Sequence, residues 1–304
     1  MTWQMQLQLT VERPVDDTVA ARMLRAWFAG AFEAMGGRLR AAVLAAEPMC
    51  DFNLRGRPVS QPYGKPGEVW SAIHTFVRGA RGVRITSKAF STKAWTDFLD
   101  GMSAVSFGAK LTAITLDHAG FPNAFPTLNI GLRTNDDDDR WWFLNVRFGP
   151  ELLDDPEFQK SALSFVRSFA DEWNLAYGEI SYDRGSGRTA WESVFRGQPD
   201  QTSLASREIL RGYAWLTICP QEIGDRLGGV AGLRASGAFA QVGALRNGGY
   251  WLLATEDWRD FGQPVAERMF PVLASALRAG GPLPGVPDDP PFYVSRRDAA
   301  ELRG

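Results

Sequence analysis

The chain opens on strict alternation of apolar and polar residues. The apolar positions are Trp3, Met5, Leu7, Leu9 and Val11, and the polar positions between them are Gln4, Gln6, Gln8 and Thr10. A period of two predicts a half-buried strand with one face in solvent. From Val19 to Met35 apolar residues recur about every four positions, which predicts a helix that Asp16 or Asp17 caps. Residues 38–46 are predicted to return as a second strand, which makes the opening a β-α-β unit.

The middle of the chain carries further apolar runs. Between Val69 and Val77 their spacing predicts a helix, and around Val83 and Ile85 a short strand. Three strands are predicted at residues 110–117, 127–133 and 141–148, with a polar hairpin tip between the last two. Asp155-Pro156 predicts a helix start, because an acidic N-cap followed by proline suits the first helical position.

Residues 213–257 are the most legible stretch. An apolar run closed by Pro220 predicts a strand, and two short helical pieces follow, separated by Gly228-Gly229. Two more apolar runs are joined at Asn247-Gly248, which predicts a hairpin with a type I′ turn.

These elements mix helices, strands and hairpins without βαβα alternation. The predicted fold class is therefore α+β, with a largely antiparallel sheet and packed helices. Two pseudo-similar halves, each containing a β-α-β unit, are compatible with this order. The predicted division is an N-terminal half at 1–118, a C-terminal half at 119–280, and a loosely held tail at 281–304, rich in proline and charge.

The composition and charge limit which classes of binding partner are expected. The chain is 45% hydrophobic and 12% aromatic, and its 33 basic and 35 acidic residues give a net charge of -2. Without a dominant charge, neither nucleic acid nor an anionic membrane is an expected partner. Cys50 and Cys219 lie far apart and are expected to be reduced thiols. No secretion signal or membrane-spanning run is recognised, so we expect a cytoplasmic protein.

Residues that carry chemistry are scattered. His74 and His118 have no His or Cys partner at ligand spacing, and His74 is expected to be structural on its predicted helix. Asp117 precedes His118, but adjacent residues in a strand point to opposite faces. Cys219 is expected to pack as a small hydrophobe. No nucleophile motif is present, so we expect no catalytic residues, no metal, no cofactor and no enzymatic activity.

Three surface segments are candidate binding sites. The first is the proline-rich loop 47–67. The second is the run Asp136, Asp137, Asp138 and Asp139, which lacks the ligand spacing of a calcium loop and is either a solvated tip or a surface for a basic partner. The third is Gly185-Ser186-Gly187 with Arg184 and Arg188 on either side. It lacks the lysine of a phosphate loop, so an anion site and a plain surface turn both stay open.

Residues 149–282 carry a series of turn glycines and core aromatics in a recognisable order. The segments are Tyr177–Asp183, Arg188–Glu192, Gly212–Thr217, Leu227–Gly229, Ser236–Phe239 and Gly248–Thr255. This order resembles bacterial immunity-type proteins of the immunity protein 52 kind, which accompany polymorphic or contact-delivered toxins. The resemblance implies a cytosolic protein that binds a cognate protein toxin and blocks its active site by occlusion. It supplies no catalytic residues.

Two other readings stay open. The chain can be a small-molecule-binding protein or an enzyme with a site between the two halves, lined by Arg184, Arg188 and Glu192. It can also be a scaffold subunit with a broad apolar face buried in an oligomer. The sequence does not determine the oligomeric state.

Overall fold

The computed structural model describes residues 3–46, 62–79, 82–104, 107–185, 187–286 and 291–302, without the side chains of 104 and 124–126. Within these residues the strands are β1 (Met5–Glu12), β2 (Val69–Gly79), β3 (Gly82–Ala89), β4 (Gly108–Leu116), β5 (Pro122–Thr134), β6 (Trp141–Phe148), β7 (Leu175–Tyr182), β8 (Leu216–Cys219), β9 (Gln241–Ala244) and β10 (Tyr250–Leu253). Of the predicted binding loop 47–67, residues 47–61 lie outside the described residues.

The described helices are α1 (Asp17–Met35), α2 (Gly37–Ala45), α3 (Thr92–Asp100), α4 (Pro156–Glu172), α5 (Ala190–Val194), α6 (Pro199–Leu204), α7 (Gln221–Arg226), α8 (Gly229–Ala235) and α9 (Gln263–Leu273). Two predicted starts are confirmed. The Asp16 side chain accepts hydrogen bonds from the amides of Thr18 and Val19, and Asp155 caps α4 with proline at its start.

By contacts the chain divides into two units, each discontinuous in sequence. One contains residues 1–12, 135–143 and 150–304, and the other contains 13–134 and 144–149. We call them the β7 unit and the β4 unit after their central strands. The predicted halves 1–118 and 119–280 follow sequence order instead, and their folding as separate domains stays a prediction.

The strands are ordered β3-β2-β4-β5-β6 in the β4 unit and β6-β1-β7-β8-β10-β9 in the β7 unit, since β6 contributes residues to both. Every strand pairing with a described register is antiparallel. The α+β class with a largely antiparallel sheet is confirmed.

Strand β1 differs from its prediction in one respect. It pairs with β7 from Met5 opposite Tyr182 to Val11 opposite Leu175. Both of its faces are buried, because Gln6, Gln8 and Thr10 are as inaccessible as the leucines between them. The predicted wet face is therefore wrong, and the buried polar groups must find partners inside the fold.

Two predicted elements have the wrong type. Residues 37–45 form helix α2, with Leu39 and Val43 buried one turn apart, so the chain opens strand-helix-helix. Residues 69–79 form strand β2, which pairs with β3 on one side and β4 on the other. The spacing of apolar residues over 69–79 fits the period of a helix and the period of a strand. The β-branched side chains of this half-buried segment favour the strand.

The stretch 213–257 forms as predicted except in its turn. Strands β9 and β10 pair as a hairpin, with Tyr250 opposite Ala244. The two positive φ angles belong to Gly248 and Gly249, at 95° and 94°, so the left-handed pair lies one residue later than the Asn247-Gly248 prediction. Two glycines adopt this conformation without the Cβ penalty that asparagine carries.

Within the predicted loose tail, residues 292–299 include several buried side chains. Phe292, Val294 and Ala299 are buried. The Ser295 amide donates a 2.7 Å hydrogen bond to the Tyr213 hydroxyl, and the Gly280 amide donates one to the Asp298 carboxylate. Apolar residues interspersed among the prolines explain this packing, and the loosely held tail as a whole stays a prediction.

Candidate functional site

The acidic run 136–139 forms a rigid turn, hereafter the acidic turn, in the β7 unit. The Asn135 side chain is fully buried and organises it. Its oxygen accepts from the amides of Asp137 and Asp138 at 2.7 and 3.1 Å. Its nitrogen donates to the Asp200 carbonyl at 2.7 Å and to the Ser203 hydroxyl at 2.8 Å. The amide thus ties the turn to α6 and replaces backbone hydrogen bonds.

The acidic turn presents negative charge outward. Asp136, Asp137 and Asp139 are exposed, and Asp138 is half-buried. The Arg140 guanidinium donates to both Asp138 oxygens, and this pairing holds the pKa of Asp138 below its usual range. One of the four carboxylates therefore braces the turn, while the exposed ones give it an anionic surface.

Arg184 and Arg188 have contacts within the fold. Arg184 donates to the Pro291 carbonyl at 2.5 Å and lies over the Phe292 ring at 3.9 Å. Arg188 donates to the Gln198 side chain at 2.8 Å. Both side chains are half-buried. Arg184 contacts residues 291–292, and Arg188 contacts Gln198, so each arginine links this turn to a later segment of the chain. Their role as partner contacts stays a prediction.

A buried ion pair lies behind the Arg188 turn. Arg211 and Glu192 have fully buried side chains, with 2.8 Å between Nε and the nearer carboxylate oxygen. Arg211 also donates to the Thr10 hydroxyl at 2.7 Å and to the Gly187 carbonyl at 2.9 Å. Glu192 accepts from the Thr189 amide, in a capping box at the start of α5.

A second buried carboxylate lies on β7. Glu179 accepts from Gln8 at 2.9 Å, Tyr177 at 2.7 Å and Ser181 at 2.8 Å. Burial raises the pKa of the Glu179 carboxyl, while these hydrogen bonds oppose the rise. Gln8 and Thr10 on the polar face of β1 are therefore partners of one buried acid, Glu179, and one buried base, Arg211.

A cavity of about 370 Å³ adjoins the Arg211–Glu192 pair. Its other walls come from α5, the following turn, α6, the segment before β8 and the segment after α9. They comprise Trp191, Phe195, Gly197, Gln201, Thr202, Ala205, Ile209, Leu210 and Arg278. The cavity belongs wholly to the β7 unit.

The other candidate residues make contacts that are typical of structural roles. His74 lies on β2, its Nδ1 2.8 Å from the Ser87 hydroxyl, and burial lowers its pKa. The Asp117 carboxylate accepts from the amides of Ala119 and Phe121, which closes the turn around His118. Cys219 is buried, and burial raises the pKa of its thiol.

Within the described residues, no group of three or more His, Cys, Asp or Glu side chains is arranged to hold a metal ion. Among the helices in those ranges, none combines the length and apolar character that crossing a bilayer requires.

Arg211 and Glu179 are not among the site residues predicted from the sequence, and Glu192 is predicted only to line a site between the two halves. The available signal was the polar half of β1, because an alternating strand with Gln, Gln and Thr fits two buried faces as well as one. Whether the polar face of β1 is buried depends on residues more than 170 positions away.

Comparison with solved structures gives a likeness at the level of the fold. The chain is similar to a structure titled "Pseudomonas aeruginosa T6SS protein PA0821", with a TM-score of 0.53 and 12% sequence identity. The likeness covers 99% of this chain and 81% of the other. No family model and no curated protein matches the chain.

Proposed function

We propose that this protein acts in competition between bacteria, as an immunity-type protein that binds a cognate toxin and blocks its active site by occlusion. The observation that carries the proposal is the likeness of fold, over 99% of the chain, to a Pseudomonas aeruginosa protein titled a T6SS protein. Type VI secretion is a route of contact-dependent bacterial competition, and the order of turn glycines and aromatics over 149–282 agrees with that setting.

The acidic turn is the surface best suited to meet such a partner. Its backbone is held by Asn135, so binding would order little additional chain. Its exposed carboxylates attract a basic patch. Charges at an interface rim mainly raise the association rate, whereas buried aromatic or arginine anchors supply most of the affinity. The acidic turn is therefore expected to steer the encounter.

Co-expression tests the function. The product of a neighbouring gene serves as the candidate toxin and is expressed from an inducible promoter in a sensitive host. The proposal predicts that this chain restores growth and that the two proteins elute together at fixed stoichiometry. Persistent growth arrest with both proteins soluble and no complex would count against it.

The contribution of the acidic turn needs a matched variant. Asp137→Asn with Asp139→Asn removes two exposed charges, and Glu151→Gln with Glu157→Gln removes two exposed charges elsewhere in the β7 unit. We expect the first pair to slow association about three- to tenfold at low salt and less at physiological salt, where the Debye length is about 8 Å. The control pair should change the rate by less than about twofold. Equal effects of the two pairs of substitutions would show that the acidic turn does not contribute to the interface.

A further inference from the structure

Strand β3 is the terminal strand of the sheet in the described part of the chain. It pairs with β2 along one edge, from Gly82 opposite Gly79 to Ala89 opposite Ala72, without a register shift. Its residues 82–86 are exposed, and Lys88 is exposed as well. Among the described residues, nothing therefore covers the second edge of β3 over most of its length.

The backbone groups on this open edge belong to alternate residues. At the end of the ladder between β2 and β3, the Phe90 amide donates to the Ser71 carbonyl at 3.1 Å. Because bonded and non-bonded pairs alternate along an antiparallel ladder, the amides and carbonyls of Val83, Ile85 and Ser87 point away from β2. No described residue forms a hydrogen bond with these outward groups.

The same edge exposes apolar side chains. Val83 is 44% exposed and Ile85 is 59% exposed, and both lie on one face of β3 because side chains alternate along a strand. Ile85 is opposite Phe76 of β2, which is half-buried and extends the apolar surface. The edge thus offers backbone hydrogen bonds and apolar contacts to one added strand, as in recognition of a peptide by strand addition.

The other face of β3 is basic. It carries Arg84 and Lys88, which are both exposed. The acidic residue nearest to Lys88 in the groove between β3 and α3 is Asp97, which already pairs with Lys93 at 2.8 Å. Opposite charges on directly facing strand residues stabilise a pair of strands, so acidic side chains suit an added strand on this face.

The positive charges disfavour a second copy of β3 as the added strand. In antiparallel pairing centred on Thr86, Arg84 of one copy would lie opposite Lys88 of the other, and this contact would occur twice. Pairing centred on Ile85 would make the two Arg84 side chains diagonal neighbours. Like charges in facing positions destabilise strand pairing, and basic side chains on an edge protect it from self-association.

We propose that β3 binds an extended acidic segment of a partner protein, which adds to the sheet as a further strand. Carboxylates of that segment lie opposite Arg84 and Lys88, and its apolar side chains lie opposite Val83 and Ile85. Strand β3 belongs to the β4 unit, whereas the acidic turn belongs to the β7 unit. Failure of the toxin co-expression test would therefore leave this interaction untouched.

Calorimetric titration of the full chain with matched peptides tests the interaction. Acetyl-ETTVEV-amide, paired antiparallel with β3, places its glutamates opposite Lys88 and Arg84 and its valines opposite Ile85 and Val83. The expected Kd is below about 1 mM. Acetyl-KTTVKV-amide keeps the apolar residues, reverses the charge, and should bind at least about tenfold more weakly.

N-methylated versions of the acidic peptide test strand pairing itself. The amide of the valine opposite Ile85 points toward β3, so its methylation removes a hydrogen bond and should weaken binding at least about tenfold. The amide of the glutamate opposite Arg84 points away from β3. Its methylation is the matched control and should change the affinity by less than about twofold.

Reversal of the charges on β3 should reverse the preference between the peptides. Arg84→Glu with Lys88→Glu should bind acetyl-KTTVKV-amide more tightly than acetyl-ETTVEV-amide. Arg22→Glu with Arg38→Glu is the control, because these two arginines are exposed on α1 and α2 of the same unit. This control should keep the preference for the acidic peptide.

Amide hydrogen exchange locates the bound peptide. Exchange should slow at Val83, Ile85 and Ser87, whereas the residues between them already bond to β2 and should change little. Absence of binding by the acidic peptide at about 5 mM, equal binding of both peptides, or protection confined to other strands would overturn the proposal. A dimer of the free chain in sedimentation that Ile85→Lys disrupts would also overturn it, because a second copy would then occupy the edge.

Discussion

Removal of the buried base Arg211 is expected to be one of the most damaging single changes in the β7 unit. In Arg211→Met the Glu192 carboxylate stays buried and loses both hydrogen bonds from the guanidinium. Thr10 loses its donor at 2.7 Å, and the Gly187 carbonyl loses one at 2.9 Å. The remaining donors to the carboxylate are the Thr189 amide and the Thr202 hydroxyl.

The magnitude follows from the burial of both charges. Breaking a buried ion pair by removing one partner costs about 3–5 kcal/mol, since the other charge is left unpaired. Glu192→Gln should destabilise by a similar amount while keeping an acceptor for the capping box of α5. The double variant carries neither charge. Its loss should fall short of the sum of the single losses by at least about 2 kcal/mol.

Urea unfolding followed by circular dichroism measures these differences as midpoints and slopes. Arg246→Met is the control, because Arg246 pairs with Asp171 at 3.4 Å while its side chain is 81% exposed. That change should cost at most about 1 kcal/mol. If Arg211→Met cost no more than the control, or if the single losses were additive, the ion pair would not stabilise the fold as described.

Three further predictions concern groups outside this pair. Burial raises the folded-state pKa of Glu179 above its ordinary value of 4.5. Between the two pKa values the folded chain binds more protons than the unfolded chain, so its stability falls as pH rises. Glu179→Gln should therefore make the urea midpoint depend less on pH from about pH 4.5 upward, and an unchanged pH profile would refute this. Asn135→Ala should destabilise by about 2 kcal/mol and speed hydrogen exchange at the amides of the acidic turn, whereas retained protection would show that α6 alone orders the turn. In a Cys50→Ser background, the buried Cys219 thiol should react with a disulfide reagent only after unfolding, and rapid reaction of the folded chain would contradict its burial.

Local signals predicted much of the fold because they act within a few residues. The caps at Asp16 and Asp155 and the glycine-rich hairpin turn are complete within one turn of chain. Residues 69–79 were misassigned because their apolar spacing fits two periods, and only pairing with β3 and β4 decides between them.

The candidate sites show the same difference between features set by neighbouring residues and features set by distant ones. The acidic turn was visible as a charge run, although its brace at Asn135 was not, since the partners Asp200 and Ser203 come more than 60 residues later. The polar cluster around Arg211 was invisible, because Thr10 and Gly187 contact it only after the chain has folded.

Direct titration of this chain against the purified candidate toxin, the product of a neighbouring gene, tests the proposed function best. The account predicts a stoichiometric complex with a Kd in the nanomolar range, typical of specific inhibitory complexes, and loss of toxin activity at one equivalent. A toxin that stays fully active with a molar excess of this chain, and shows no heat of binding, would contradict it.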